Sequence, residues 1–351
     1  MSGREFELIE RYFAPLSEGA EGAFGLADDA ALLSSESYVV SKDVLVEGVH
    51  FRKADPLSSV AKKALRVNLS DLAAKGARPI GYFLGCVWSK DTAETDIEAF
   101  TAGLAEDNDL FRVRLFGGDT TRHKAANAPS VFSVTAFGAP ARLGLVARSG
   151  ASVGDDIYVS GAIGDGSLGL EADTERLKLD AQDTDYLNER YQLPTPRVKL
   201  GSALSGLASA AIDVSDGLIA DCGHLCRASD TPLHARIDAS ALPLSEPAQR
   251  WLHRKRDQNK GLVRLATGGD DYEILFTAAP VRRRSVAIAA EVAKTPVTRI
   301  GTMEAMDAAR AQQSDDDGSN GRREDVVQLV DHNGAEIDIH SLTDKPGFDH
   351  F

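Results

Sequence analysis

The chain has 351 residues, with 39 Lys plus Arg against 53 Asp plus Glu and a formal net charge of −14. That length predicts two domains and a core that needs no disulfide staples, while the acidic balance argues against a nucleic-acid partner, which requires a basic face. Cys86, Cys222 and Cys226 make neither a disulfide framework nor a zinc spacing; with no secretory h-region in MSGREFELIERYF and no apolar run of about 18 residues, a cytoplasmic protein without a membrane span is expected.

Phe6, Ile9 and Phe13 predict an amphipathic helix over 4–14, followed by the Gly-rich acidic loop GAEGAFGLADDA. Residues 30–34 and 38–46 are β-rich. Val60, Ala64, Val67 and Leu72 form the apolar side of a long helix over 57–76, with Gly76 at its end. GYFLGCV predicts a strand, 94–108 a helix, RVRLF a strand running into GGDTTR, and 130–138 another strand. A second half opens near ARSGASVGDDIYVSG, where a short strand is punctuated by Gly and Asp. Helices are expected at 166–177, 184–192, 197–209 and 281–293, AAIDVSDG is expected as a strand leading into a helix at 217–228, and strands are expected at 234–238, 273–278 and 297–302. Residues 307–325, polar and aperiodic, predict a flexible surface insertion.

The acid is concentrated in strand ends and Gly-flanked turns. Asp28 and Asp29 lie in LADDA, Asp43 in SKD, Asp71 in NLSD, Asp119 in GGDTT, Asp213 and Asp216 in IDVSD, and Asp270, Asp271 and Glu273 in GGDDYE. Short carboxylates at such positions suit a hard divalent cation, and Mg2+ is usually held by one or two carboxylates plus substrate phosphates. Any single Asp of this kind also serves as a turn or helix cap. Their number favours several Mg2+ ions sharing a polyphosphate. The paired glycines of GGDTTR allow backbone N–H groups to approach a phosphate, a tight turn being the plainer reading. Arg148 in ARSGA is either an oxyanion clamp or a surface residue. No GxxxxGK[ST], HExxH or GxSxG occurs. GDGSLG at 164–169 fits GxGxxG, with Asp185 about 20 residues on. No βαβ unit clearly follows it, so a Gly-rich strand-to-helix turn is preferred to a dinucleotide site.

In this order EFELIERYF, DDAALL, SKDVLVEGVHF, KALRVNLSDLAAKGARP, GGDTTR, RSGASVGDDIYVSG, SAAIDVSDGL, GGDDYEILF and GFDHF resemble thiamine-monophosphate kinase, across nearly all of the chain except 307–325. The resemblance implies an α/β (α+β) chain of two domains. Residues 1–140 would form a Mg-ATP-binding mixed-sheet domain that dimerises through its strands, and 141–351 an α/β sandwich closing the active site. It implies a homodimer that transfers the γ-phosphoryl of ATP to thiamine monophosphate, giving thiamine diphosphate and ADP. Asp29, Ser41, Lys42, Asp43, Asp71, Asp119, Asp213 and Asp216 fall on metal positions, Lys42 through its main-chain carbonyl. Gly118, Asp119, Arg148 and Ser215 fall on ATP positions; His50, Asp271 and the tail aromatic Phe348 fall where thiamine phosphate is held. Catalysis would rest on Asp43, Asp71, Asp119 and Asp213.

The sequence departs from the family pattern in reading GLADDA for GIGDDA, GGDD for GGED, and Lys42 where relatives often carry Thr. The implied chemistry is in-line attack by a phosphate oxygen already largely ionised near neutral pH, with carboxylate-held Mg2+ offsetting the repulsion of two polyanions. Asn68, three residues before Asp71 on nearly the same helix face, is expected to aim into the site with it. Outside the family context a lone His such as His50 is more often a structural hydrogen-bonding group than a ligand contact. The alternatives are another ATP-dependent enzyme of the same superfamily or a catalytically silent Mg-nucleotide-binding module.

Overall fold

The computed structural model describes residues 27–28, 30–34, 37–172, 177, 179–306, 326–343 and 347. The expected helix at 4–14, Asp29, Phe348 and the 307–325 segment lie outside the described residues.

The first of two sheets contains β1 (Ala31–Ser34), β2 (Ser37–Val46), β3 (Arg78–Trp88), β4 (Arg114–Arg122) and β5 (Val131–Ala139), in the spatial order β1-β2-β5-β3-β4. Its pairings are antiparallel except that β4 joins β3 in parallel. A parallel pair needs a long crossover, which α2 (Glu94–Phe111) supplies. This helix and α1 (Leu57–Ala74) share one core with the sheet, in which Val60, Ala64, Leu65 and Phe100 meet Val39, Tyr82, Phe132 and Val134. Along β2 the period of two turns Val39, Ser41, Asp43 and Leu45 toward the helices, and Lys42 and Val44 away from them.

The GGDTTR segment is not a turn. It forms the second part of edge strand β4. A Cβ on Gly118 would stand 1.9 Å from the Leu84 carbonyl oxygen, so glycine is what lets β4 lie against β3.

The second sheet holds β6 (Asp156–Ser160), β7 (Ala210–Asp213), β8 (Leu233–Asp238), β9 (Ile274–Ala278), β10 (Val297–Ala305), β11 (Val327–Val330) and β12 (Glu336–Ile337), ordered β12-β11-β8-β10-β6-β9-β7. Only the β11–β8 pairing is parallel. On one face α6 (Leu218–Ala228), α8 (Gln258–Thr267) and α10 (Ile339–Leu342) cover Ile157, Val159, Ile212 and Leu275. On the other, α5 (Val198–Leu204) and α9 (Arg283–Ala293) cover Tyr158, Ala211, Ile274 and Phe276. Coverage on both faces explains why β6, β7 and β9 are buried at every position, including Asp156, Ser160, Asp213 and Thr277. A separate cluster joins α3 (Asp165–Leu170), α4 (Ala181–Gln192) and α7 (Glu246–His253) with α8 through Leu168, Leu187, Trp251 and Leu265.

The C-terminal part of α1 links the two sheets. Ala73 belongs to the α5–α9 core, and the buried Lys75 just after the helix donates to the Ala211 carbonyl of β7 at 2.7 Å. All three cysteines are buried free thiols. Among the described residues no helix is long and apolar enough to cross a membrane.

Candidate active site

A cleft of about 440 Å³ opens between the sheets, beside α1. From the first half it is lined by Asp43 of β2, His50 in the turn that follows, and Asp71 of α1; from the second by Asp213, Ser215, Asp216, Asp270 and Tyr272. The Ser41 hydroxyl donates to Asp71 Oδ2 and so ties β2 to α1 directly behind Asp43. Asp213 ends β7. The turn after it is held by Asp221 Oδ2, which accepts the N–H groups of Asp216 and Gly217, both at 3.1 Å. The first turn of α6 thereby fixes the segment that presents Ser215 and Asp216.

The GGDDYE loop lies against this turn. Asp270 N–H donates to Ser215 O at 2.9 Å and Tyr272 N–H to Val214 O at 2.8 Å. Asp270 and Tyr272 occupy the left-handed region, with φ of 68° and 51°. Such a conformation costs about 1–3 kcal/mol per residue and persists where the surroundings over-determine it. The Tyr272 hydroxyl donates to Asp270 Oδ1 at 3.2 Å. Burial pushes this phenol well above its ordinary range, and the charges of Asp270, Asp43 and Asp213 push it further. Charges from both halves of the chain therefore act on one hydroxyl.

The donor set is oxygen-only and strongly negative, as a hard divalent cation requires. Among the described residues no three His, Cys, Asp or Glu side chains form a metal cage by themselves. The carboxylates lining the cleft fit Mg2+, which takes part of its coordination from substrate phosphates and water.

The structure brings Asp43, Asp71, Asp213, Ser215, Asp216 and His50 to this one cleft, with Ser41 bonded to Asp71. Other residues singled out by sequence lie elsewhere. The Lys42 side chain is on the opposite face of β2, where Nζ donates to Ser133 Oγ at 2.6 Å. Gly118 and Asp119 sit on exposed β4, and Asp119 Oδ1 accepts from Thr120 N–H at 2.8 Å. Arg148 donates its backbone N–H to Asp28 Oδ2 at 3.1 Å, and Lys75 pairs with Asp28 at 3.2 Å. Asn68 is fully buried and donates to its own helix, at the Ala64 carbonyl, so it does not line the cleft with Asp71.

Asp271 is also drawn away. Its Oδ2 accepts from Gly164 N–H at 2.7 Å and its Oδ1 from Gly166 N–H at 3.0 Å, and burial raises its pKa well above the carboxylate range. The acid of GGDDYE that faces the cleft is its neighbour Asp270. The same two hydrogen bonds settle the GDGSLG match. The N–H groups that would cradle a pyrophosphate are taken by a carboxylate, and β6 pairs only antiparallel, so no Rossmann unit exists there.

Four residues at or behind the cleft went unnoticed in the sequence. Glu171 and Arg264 pair at 2.8 Å on its lining, with the Arg264 guanidinium 5.3 Å from the Trp251 ring centroid. Lys63 and Tyr191 lie behind it and meet at the His50 carbonyl. For Lys63 a signal existed: it stands three residues after Val60 and four before Val67, on the apolar stripe of α1.

The first sheet and its helices carry the family match: residues 27–139 match the family described as AIR synthase related protein, N-terminal domain. The thiamine-monophosphate kinase of Caulobacter vibrioides is 44% identical over 85% of this chain and 83% of that protein. That of Escherichia coli strain K12 is 39% identical over 87% of this chain and 92% of its own. Among solved structures, AaThiL complexed with AMPPCP and TMP is similar with a TM-score of 0.78 and 26% identity, covering 99% of this chain and 97% of that one. The chain belongs to the thiamine-monophosphate kinase family.

Proposed function

We propose that the chain transfers the γ-phosphoryl group of ATP to thiamine monophosphate, giving thiamine diphosphate and ADP. The observation that carries this reading is the convergence of Asp43, Asp71, Asp213 and Asp216 from both halves on one cleft, in a family with a member solved in complex with AMPPCP and TMP. Mg2+, when bound, neutralises the charge of the facing phosphates, and these four aspartates are the residues that would hold it. Asp29, Ser41, Asp119 and the main-chain carbonyl of Lys42 are proposed as further ligands. Ser41 orients the Asp71 carboxylate.

His50 and Asp270 hold the acceptor. Val46 N–H donates to His50 Nδ1 at 3.0 Å, which leaves the proton of the neutral ring on Nε2. Phe348 is proposed as the aromatic facing the thiamine, in keeping with its neighbour Gly347 on the cleft lining. Ser215, Gly118, Asp119 and Arg148 are proposed on the ATP side. An acceptor phosphate oxygen is already ionised near neutral pH, so the cleft needs to align it in line with the leaving ADP rather than supply a strong base.

A homodimer is part of the reading. The face of the first sheet away from α1 carries Phe83, Phe116 and Phe137, with ring centroids 5.9–6.2 Å apart, and Phe83 and Phe116 are 45% and 52% exposed. An exposed aromatic cluster beside an edge strand is a pairing surface. We propose the domain boundary near residue 140, in the segment that joins β5 to β6. The three free thiols suit a reducing cytoplasm.

The test is product analysis with ATP, Mg2+ and thiamine monophosphate, with free thiamine and an aminoimidazole ribonucleotide precursor as competing substrates. Thiamine diphosphate and ADP in equal amounts are expected. ADP release independent of thiamine monophosphate, or preferred turnover of a competitor, would overturn the assignment.

A further inference from the structure

We infer that Lys63 and Tyr191 are positioning residues that lock the acceptor end of the cleft, by holding the His50 turn and the Asp270 loop in one arrangement; the inference rests on the acceptor role proposed for His50 and Asp270. Lys63 projects from α1, and its side chain is 2% exposed. A buried ammonium is costly unless paired and hydrogen-bonded. Its Nζ donates to the His50 carbonyl at 3.0 Å, pairs with Asp270 Oδ1 at 3.1 Å and stands 3.7 Å from the centroid of the Tyr191 ring.

Tyr191, on α4 of the second half, is itself buried, and its hydroxyl donates to the same His50 carbonyl at 3.2 Å. One carbonyl thus receives a donor from each half of the chain. Neither donor lines the cleft, whereas His50 and Asp270, the groups they hold, both do. An apolar residue at position 63 would pack on α1 without the desolvation cost of a charge. What the ammonium adds is a link between two loops, one of which sits in left-handed backbone at Asp270.

The surrounding charges reinforce this link. Arg52 pairs with Asp55 at 2.9 Å and donates to Asn188 on α4 at 3.2 Å, and Gln192 on α4 donates to Asp55 at 3.0 Å. The segment after His50 is therefore fastened to α4 at several points, and Lys63 carries that attachment into the cleft.

The test uses the full chain with Tyr191→Phe, Lys63→Met, Asp270→Asn, and Lys63→Met combined with Asp270→Asn. KM is measured for each substrate, and thiamine monophosphate and AMPPCP binding by titration calorimetry. Tyr191→Phe keeps the ring and removes one donor, so KM for thiamine monophosphate should rise about fivefold, the equivalent of one hydrogen bond. Lys63→Met should raise it by about tenfold or more, since it strips a charged donor from both loops. In both variants KM for ATP should move far less. The double variant should bind thiamine monophosphate better than the two single effects multiplied together, because no unpaired buried charge remains.

Equal rises in both KM values, or no rise with Tyr191→Phe, would overturn the inference even if Lys63→Met does not fold. A wild-type chain that binds AMPPCP but not thiamine monophosphate would overturn the proposed function and this inference with it. An active wild type lacking the KM split overturns this inference alone.

Discussion

Glu273→Gln is the most direct test of how the cleft is supported from below. Glu273 is wholly buried at the end of the GGDDYE loop. Its carboxylate accepts from Ser160 Oγ at 2.6 Å, from Arg197 Nε at 2.6 Å and from Arg190 Nη2 at 3.1 Å, while its main-chain carbonyl accepts from Val214 N–H at 2.8 Å. There is no room for a different shape: a Cβ on Gly161 would fall 2.0 Å from Glu273 Oε1. Glutamine keeps the shape and removes the charge, so two guanidinium groups would face a neutral amide. Breaking a buried ion pair costs about 3–5 kcal/mol. The arginine side chains are 14% and 18% exposed, so water offsets part of the loss and the low end, about 3 kcal/mol, is expected. With an unfolding entropy of about 2.1 cal/mol/K per residue over 351 residues, or about 1.4 °C per kcal/mol, this lowers Tm by about 4 °C. The assay is thermal and urea unfolding followed by circular dichroism, with Arg197→Gln and the double variant completing a cycle. A loss below about 1 kcal/mol, or strict additivity in the cycle, would refute the reasoning that the charge holds this junction.

Asp71→Asn should lower thiamine diphosphate formation at saturating Mg2+ by about a hundredfold or more, the scale set by a lost electrostatic contact in a site; activity within about threefold of wild type would remove Asp71 from the chemistry. His50→Ala should raise KM for thiamine monophosphate much more than KM for ATP, and equal effects in steady-state kinetics would count against an acceptor contact. Phe116→Asp should shift the chain to a monomer in sedimentation velocity; an unchanged mass would place any self-association elsewhere. Hydrogen bonding from Arg283, with Arg299, holds the Asp156 carboxyl below its usual range. A depressed folded-state pKa stabilises fully above the unfolded value of about 3.9 and loses that contribution as pH falls through the folded value. The stability gap between wild type and Asp156→Asn in urea should therefore shrink below about pH 4, and a gap that stays constant from pH 6 to pH 3 would refute the pairing.

The strongly patterned elements were legible without a structure. The helix predicted over 57–76 is α1, Leu57–Ala74, and the strand predicted at 38–46 is β2, Ser37–Val46. The misses have physical causes. Helix α3 stops at Leu170 and α5 at Leu204, short of the predicted 177 and 209. Helices α7 and α8 carry a sparse apolar pattern, because their segment, SEPAQRWLHRKRDQNKGLVRLATGG, is mostly polar. Their capping residues were nonetheless visible: Ser245 accepts from Ala248 N–H and Asp257 from Lys260 N–H. In the site, the choice between Asp270 and Asp271 turns on a positive φ at Asp270, and side-chain identity does not encode which of two adjacent aspartates the loop will turn outward.

The net charge of −14 takes on a different meaning once its members are placed. Asp107, Asp156, Asp183 and Glu273 are buried against arginines inside the fold, so they are balanced where they stand. At the cleft the balance is otherwise. Asp43, Asp71, Asp213, Asp216, Asp270 and Glu171 line it together with one arginine, Arg264, which is already paired with Glu171. Lys63 stands behind it and answers Asp270. A surface of that sign repels the phosphates of ATP and of thiamine monophosphate unless cations enter with them. The same acid that argues against a nucleic-acid partner therefore fits a phosphate partner, on the condition that binding of the nucleotide rises and falls with Mg2+. Calorimetric titration of AMPPCP with and without Mg2+ decides the point: affinity independent of the cation would mean that the aspartates serve the fold and not the phosphates.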